Sequence, residues 1–236
     1  MKRSVIAGGR PLQYTLIQTV RAGVLLQALP EGVIRVYAPR AMHLRDVDRL
    51  VREQAEALRA MQRDVDRHVE ANRRAHPVTE GAEIMIEGAP HALRLSAGAK
   101  VRGDIRDGAL ALTLPDPGDD AAVRGAIRSV LSARALARIR ERLAFYAPRI
   151  GVQFGRVTVR QQKTRWGSCS ARGNLNFNWK LIMAPPRALD YVVIHELCHR
   201  IEFNHSPRFW RLVEAQMPDY EAWKKWLRTH RDDLYL

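Results

Sequence analysis

Residues 190–205 read DYVVIHELCHRIEFNH, and this stretch limits what the chain can become more than any other. Apolar side chains on every side of a helix require burial. Yet two histidines and a glutamate sit among them, and buried imidazoles without partners cost desolvation free energy. His195 and His199 are four residues apart. On an α-helix they share one face, about 6 Å apart along the axis, so both rings can converge on one ion. Glu196 is rotated by about 100° from that row and can reach a water on the ion. The HExxH spacing therefore implies two ligands and one general base, with zinc as the ion and one site per chain.

A catalytic zinc needs a third protein ligand and an open position. His205 is the best candidate, because Ser206 and Pro207 look like an N-cap and first-turn pair that opens a new helix. The chain is expected to leave the first helix, about 187–203, near Asn204, so His205 can swing back. Glu202 is the rival. It lies on the His195 face by angle, but seven residues of helix is about 10.5 Å of rise, too far for one ion. Cys198 falls to the other side of the histidine row and is read as a core residue.

The rest of the chain alternates strand and helix patterns. Residues 1–11 read as a tail. Residues 12–118 read as a β-rich region with one long helix at about 41–75, where Leu44, Val47, Val51, Leu58, Met61, Val65 and Val69 recur at helical spacing. The runs EIMIEG, HALRLS and ALALTLP are strand-like. Residues 119–236 form the second region. There a helix reaches about Tyr146, and two strands join around Ala171–Asn174 before the histidine-bearing helix and two more. No internal repeat is evident. The order gives an α+β class, with residues 12–230 as one continuous domain.

Just upstream, KTRWGSCSARGNLNFNWKLI places polar and aromatic residues beside the expected site. Arg165, Trp166, Gly167 and Ser168 are candidate substrate contacts, because a strand edge can pair with an extended peptide. The competing reading is a plain hairpin with Trp166 and Trp179 in the core and Arg165 exposed.

Charge enters as a question about partners. The net charge is +14, with 25 cations against 17 acids in residues 1–150 and 14 against 8 in residues 151–236. An excess so evenly spread is weak evidence for nucleic-acid recognition, which is expected to be non-specific at most. Two cysteines make no disulfide framework and fit a reducing compartment. Neither a signal peptide nor a membrane-length apolar run is evident, so the expected location is the cytoplasm.

The run RWGSCS…GNLNFNW…P…LDYVVIHELCH…NHSPRFW resembles the YgjP-like metallopeptidase family, a zincin group related to the SprT-like and WLM peptidases. The likeness is clearest over residues 158–226 and extends to YTL near Tyr14 and to VYAPR at 36–40. IQTVRAG stands where a basic cluster usually follows YTL. The resemblance implies a zincin-like core with an N-terminal β-rich extension. It also implies His195, His199 and His205 as zinc ligands and Glu196 as the catalytic acid/base acting on peptide bonds. Tyr191, Tyr220 and Arg165 stand equal as candidates to stabilise the oxyanion. Two alternatives are a nucleic-acid-associated protease of SprT or WLM type and a non-catalytic zinc-binding interaction module.

Overall fold

The computed structural model describes residues 1–20, 22–30, 32–162, 165–231 and 234. Lys163 and Thr164, which the sequence pattern puts in a strand, lie outside the described residues. The protein is α+β, with two compact units, Met1–Pro77 and Val78–Leu236.

The first unit begins with strand β1, Lys2–Ala7, where the sequence pattern suggested a tail. β1 pairs antiparallel with β2, Arg10–Thr19, through a turn at Gly8 and Gly9, which have φ of 56° and 71°. Only two of its side chains, Val5 and Ala7, are buried, which is why its alternation was too weak to read. β3, Leu25–Leu29, and β4, Val33–Pro39, complete a sheet of order β1-β2-β4-β3. The predicted helix at 41–75 is two helices, α1 (Leu44–Glu53) and α2 (Ala55–Ala75), broken at Gln54. Gln54 has φ −94° and ψ 10°, outside the helical region, so the hydrophobic spacing runs on across a break in the backbone. Val47, Val51 and Leu58 pack with Leu12, Leu16 and Val36 to form the core of this unit.

The second unit opens with the same topology. β5 (Glu83–Ile86), β6 (Ala89–Ala97), β7 (Arg102–Arg106) and β8 (Ala109–Leu114) form a sheet of order β5-β6-β8-β7. In both sheets two hairpins are joined so that the second and fourth strands run parallel. Pro11 faces Ile6, and Pro90 faces Met85, each one pair beyond its turn. The two sheets therefore repeat one four-stranded arrangement, contrary to the reading of no repeat. Few residues match between the copies, so only the pairing reveals the repetition.

Helix α3, Asp120–Ile150, follows β8. Asp119 caps it by accepting from the amides of Ala121 and Ala122, as the aspartates of PDPGDD suggested. It runs through Pro148 to Gly151, which ends it at φ 78°. A small sheet of order β10-β11-β9 follows, from β9 (Val157–Arg160), β10 (Gly167–Cys169) and β11 (Leu175–Asn178). Trp179–Met183 is a 3-10 turn instead of a continuing strand. Asn178 accepts from the Lys180 amide there, a side-chain cap that competes with extension of the strand. Three helices finish the chain: α4 (Pro186–Cys198), α5 (Pro207–Gln216) and α6 (Tyr220–Thr229). α4 lies at the centre of this core, with Val193, Ile194, Leu197 and Cys198 fully buried.

Candidate metal centre

Two contacts fix α4 before any histidine is reached. At its start, the β5–β6 turn abuts Pro185: a Cβ on Gly88 would lie 2.9 Å from Pro185 Cα. One turn into the helix, Asp190 accepts from Arg142 Nε at 2.6 Å and Nη2 at 2.9 Å, and from the Tyr146 hydroxyl at 3.1 Å. This bidentate pair registers α4 against α3, and removing one partner of such a buried pair costs about 3–5 kcal/mol.

α4 ends earlier than the spacing predicted. His199, not a residue near 203, is its C-terminal cap. The amides of Arg200 and Ile201 bond three residues back to the carbonyls of Leu197 and Cys198, which tightens the last turn. Arg200 holds the departing chain through Nε to the Gln153 carbonyl at 3.1 Å. With the helix over, the angular argument about Glu202 has no bearing. Glu202 contributes its backbone carbonyl, which accepts from His199 Nδ1 at 3.0 Å. That bond sets the His199 tautomer and leaves Nε2 as the bare nitrogen.

His195 Nε2 lies 3.2 Å from His199 Nε2 and 3.1 Å from His205 Nε2. His205 arrives from the turn before α5, where Ser206 accepts from the Phe209 amide as a true N-cap. One potential ligand atom from each of the three histidines lies within 4.8 Å of the other two. Nitrogens at tetrahedral angles, each about 2.0–2.1 Å from one zinc ion, stand about 3.4 Å apart, so the spacing suits that ion. Burial holds the His195 imidazole down at about 3, reinforced by His199, His205 and Lys224; burial lowers His199 too. Neutral imidazoles are the form that binds metal.

Motif spacing alone does not reveal what shapes this cluster. Phe209 packs against all three imidazoles, with ring centroids 4.6–4.9 Å away. Trp210 stacks on His205 at 5.6 Å, and Lys224 Nζ lies 4.0 Å from the Trp210 ring centre. The signal was available: Phe209 and Trp210 fall in the first turn after a helix start placed directly behind His205.

Glu196 is 4% exposed, and among the described residues its Oε2 has no hydrogen-bond partner. Burial pushes its carboxyl up to about 8, against the opposing charge of Arg165. A buried carboxylate without partners favours a cation nearby, which would restore its ionised form. The donors, their spacing and this orphaned oxygen thus fit a divalent metal at the histidines.

A cleft of about 520 Å³ opens beside the cluster. Arg165, Trp166, Gly167 and Ser168 all line it, together with the three histidines and Glu196. Val192, Cys169 and Phe203, not expected there from the sequence, line it too. Trp179 is core, at 1% exposure, whereas Trp166 is only half-buried. The three oxyanion candidates are no longer equal. Tyr191 and Arg165 line the cleft, while Tyr220 stacks on Trp210 and donates to Glu221.

The sequence profile of the YgjP-like, metallopeptidase domain matches residues 24–230. The chain belongs to the YgjP-like metallopeptidase family. No curated protein and no solved structure matches it. Family membership makes this YgjP-like protein a metallopeptidase by kind and implies a metal ion, for which the histidine cluster is the fitting place. No helix of the described residues is long and apolar enough to cross a membrane.

Proposed function

We propose that this YgjP-like protein is a zinc-dependent peptidase with a zincin-like core, in which His195, His199 and His205 hold the ion and Glu196 is the general base. The observation that carries this reading is the convergence of three imidazole nitrogens beside a buried carboxylate whose Oε2 has no hydrogen-bond partner among the described residues. Zinc bound there would polarise the scissile carbonyl and acidify a water. Glu196 takes the proton from the attacking water and passes it to the leaving amine nitrogen. Phe209 and the surrounding apolar wall keep the imidazoles oriented and neutral. Tyr191, whose hydroxyl burial holds in the protonated form, is a donor available to the developing oxyanion.

The substrate reading rests on β10, the terminal strand of its sheet. Trp166 and Ser170 spend backbone groups on the β11 side. By strand alternation, Gly167 and Cys169 direct theirs to the outer edge, where an extended peptide could pair. A non-catalytic zinc module has no need of a buried free carboxylate, so Glu196 favours catalysis. Cys169 and Cys198 are both free thiols, which suits the cytoplasm. Nucleic acid is at most a non-specific partner, since the +14 charge is dispersed.

The test is to incubate the zinc-loaded protein with unfolded casein and with a broad peptide library. New N-termini should appear, disappear on chelation and return with zinc. A protein that retains zinc and cuts neither substrate overturns the reading.

A further inference from the structure

Among the described residues, Arg165 carries the only arginine or lysine charge lining the cleft, and Glu196 is the only acid there. The side chain is exposed. Its backbone carbonyl lies 3.4 Å from Asn178 Nδ2, but among the described residues no ion pair or hydrogen bond engages its guanidinium. Three other arginines of the same unit are paired with acids: Arg142 with Asp190, Arg187 with Asp219, Arg134 with Glu87. A guanidinium presents a planar fork of donors that matches an oxyanion bidentately. This one lines the same cleft as Glu196 and the three histidines.

We infer that Arg165 recognises an oxyanion on the substrate, which in a peptide is a carboxylate. The inference rests on the peptidase reading of the same cleft and adds a preference to it. Phe203, 57% exposed, and half-buried Trp166 line the same cleft and offer apolar contact to a neighbouring side chain. Antiparallel pairing, the more stable of the two, sets the direction. Arg165 precedes Gly167, so a peptide antiparallel to β10 runs its C-terminal end toward Arg165. The carboxylate therefore lies C-terminal to the segment paired with β10. It belongs either to the chain terminus or to an aspartate or glutamate side chain.

Binding separates this from hydrolysis. Zinc-loaded full-length protein carrying Glu196→Gln is titrated with fluorescein-labelled peptides of one sequence in four forms. These are the C-terminal amide with no acid, the C-terminal acid, the amide with one internal glutamate, and the same amide with glutamine there. At least one carboxylate form should bind about tenfold tighter than its neutral counterpart, the size of a charge-assisted contact. The acid and glutamate forms show which source is read. Adding Arg165→Ala should cut the advantage to under about twofold, while Arg165→Lys keeps part of it. Equal binding of all four forms, an advantage that survives Arg165→Ala, or no binding at all overturns the inference. Because the peptidase reading stands or falls on cleavage by the wild type, the two failures are told apart.

Discussion

Glu196 and Gly167 meet so closely that no side chain fits between them. A Cβ built on Gly167 would stand 2.5 Å from Glu196 Oε1 and 2.8 Å from its Cγ. Gly167 starts β10, and Glu196 sits in the last turn of α4. The strand backbone thus forms one wall of the carboxylate's position. The residue expected to touch substrate also determines where the proposed base can be.

Gly167→Ala should therefore leave zinc in place and damage catalysis. The methyl group and the carboxylate cannot both keep their positions, and a displacement of about 1 Å at a catalytic group costs on the order of 100-fold in rate. Zinc content and peptide hydrolysis are measured on the same preparation. Full activity would mean that the strand yields and Glu196 is not held by it.

The ligand assignment makes a paired prediction. His199→Ala and His205→Ala should each lower zinc affinity by at least about 100-fold, since a three-imidazole site loses a direct ligand. Glu202→Ala should keep about one zinc per chain, because Glu202 acts through its carbonyl on His199 Nδ1. Metal analysis after dialysis decides it. Loss of zinc in Glu202→Ala with retention in His205→Ala would reverse the assignment.

Much of this centre was legible in the sequence because helical spacing is a local property. His195, His199 and the Ser206–Pro207 helix start needed only residues within one turn of each other. The early end of α4 was not legible. It depends on Arg200 reaching carbonyls at Gln153 and Ala171, far away in the chain. The same holds for Gly167, whose lack of a side chain matters only once β10 lies against α4. The repeated sheet topology escaped notice because strand pairing tolerates almost any alternating sequence, and β1 buries only two side chains. Arg165 was a candidate contact from its place in RWGSCS, but charge patterning could not set it apart, since its lack of an ion partner among the described residues appears only in the fold.

The first unit has its own acid-sensitive element. Asp48 accepts from Arg3 Nε at 3.0 Å and Nη2 at 2.5 Å, and from the Tyr14 hydroxyl at 2.5 Å. The Arg3 hydrogen bonds hold its carboxyl below the usual carboxylate range, with Tyr14 assisting and burial opposing. A depressed folded pKa means the contribution is present above the unfolded value, about 3.9, and is lost as pH falls through the folded one. Asp48→Asn should cost about 1.5–3 kcal/mol at neutral pH and show a shallower loss of stability below about pH 4. Denaturant unfolding at several pH values checks both. Parallel acid profiles for the two proteins would remove Asp48 as a source of the sensitivity.

Glu196→Gln carries the most weight for mechanism. Glutamine nearly matches glutamate in shape, so the contact with Gly167 and the packing of α4 should survive. Asp190 and Arg142, which register the helix, are untouched. The imidazoles keep their positions against Phe209, so zinc affinity should stay within about twofold. Lost is the group that can accept a proton, since the amide oxygen is far less basic than a carboxylate. General-base contributions run to about 10²–10⁴-fold, and hydrolysis should fall by at least that range. Glu196→Asp is the useful companion. It keeps a carboxylate but withdraws it by one methylene, so it should regain part of the rate that glutamine loses. Zinc content, thermal midpoint and turnover on a peptide cut by the wild type are read together. Wild-type turnover in the glutamine variant would show that the proton goes elsewhere. Loss of zinc from it would instead make Glu196 part of the scaffold that holds the histidines.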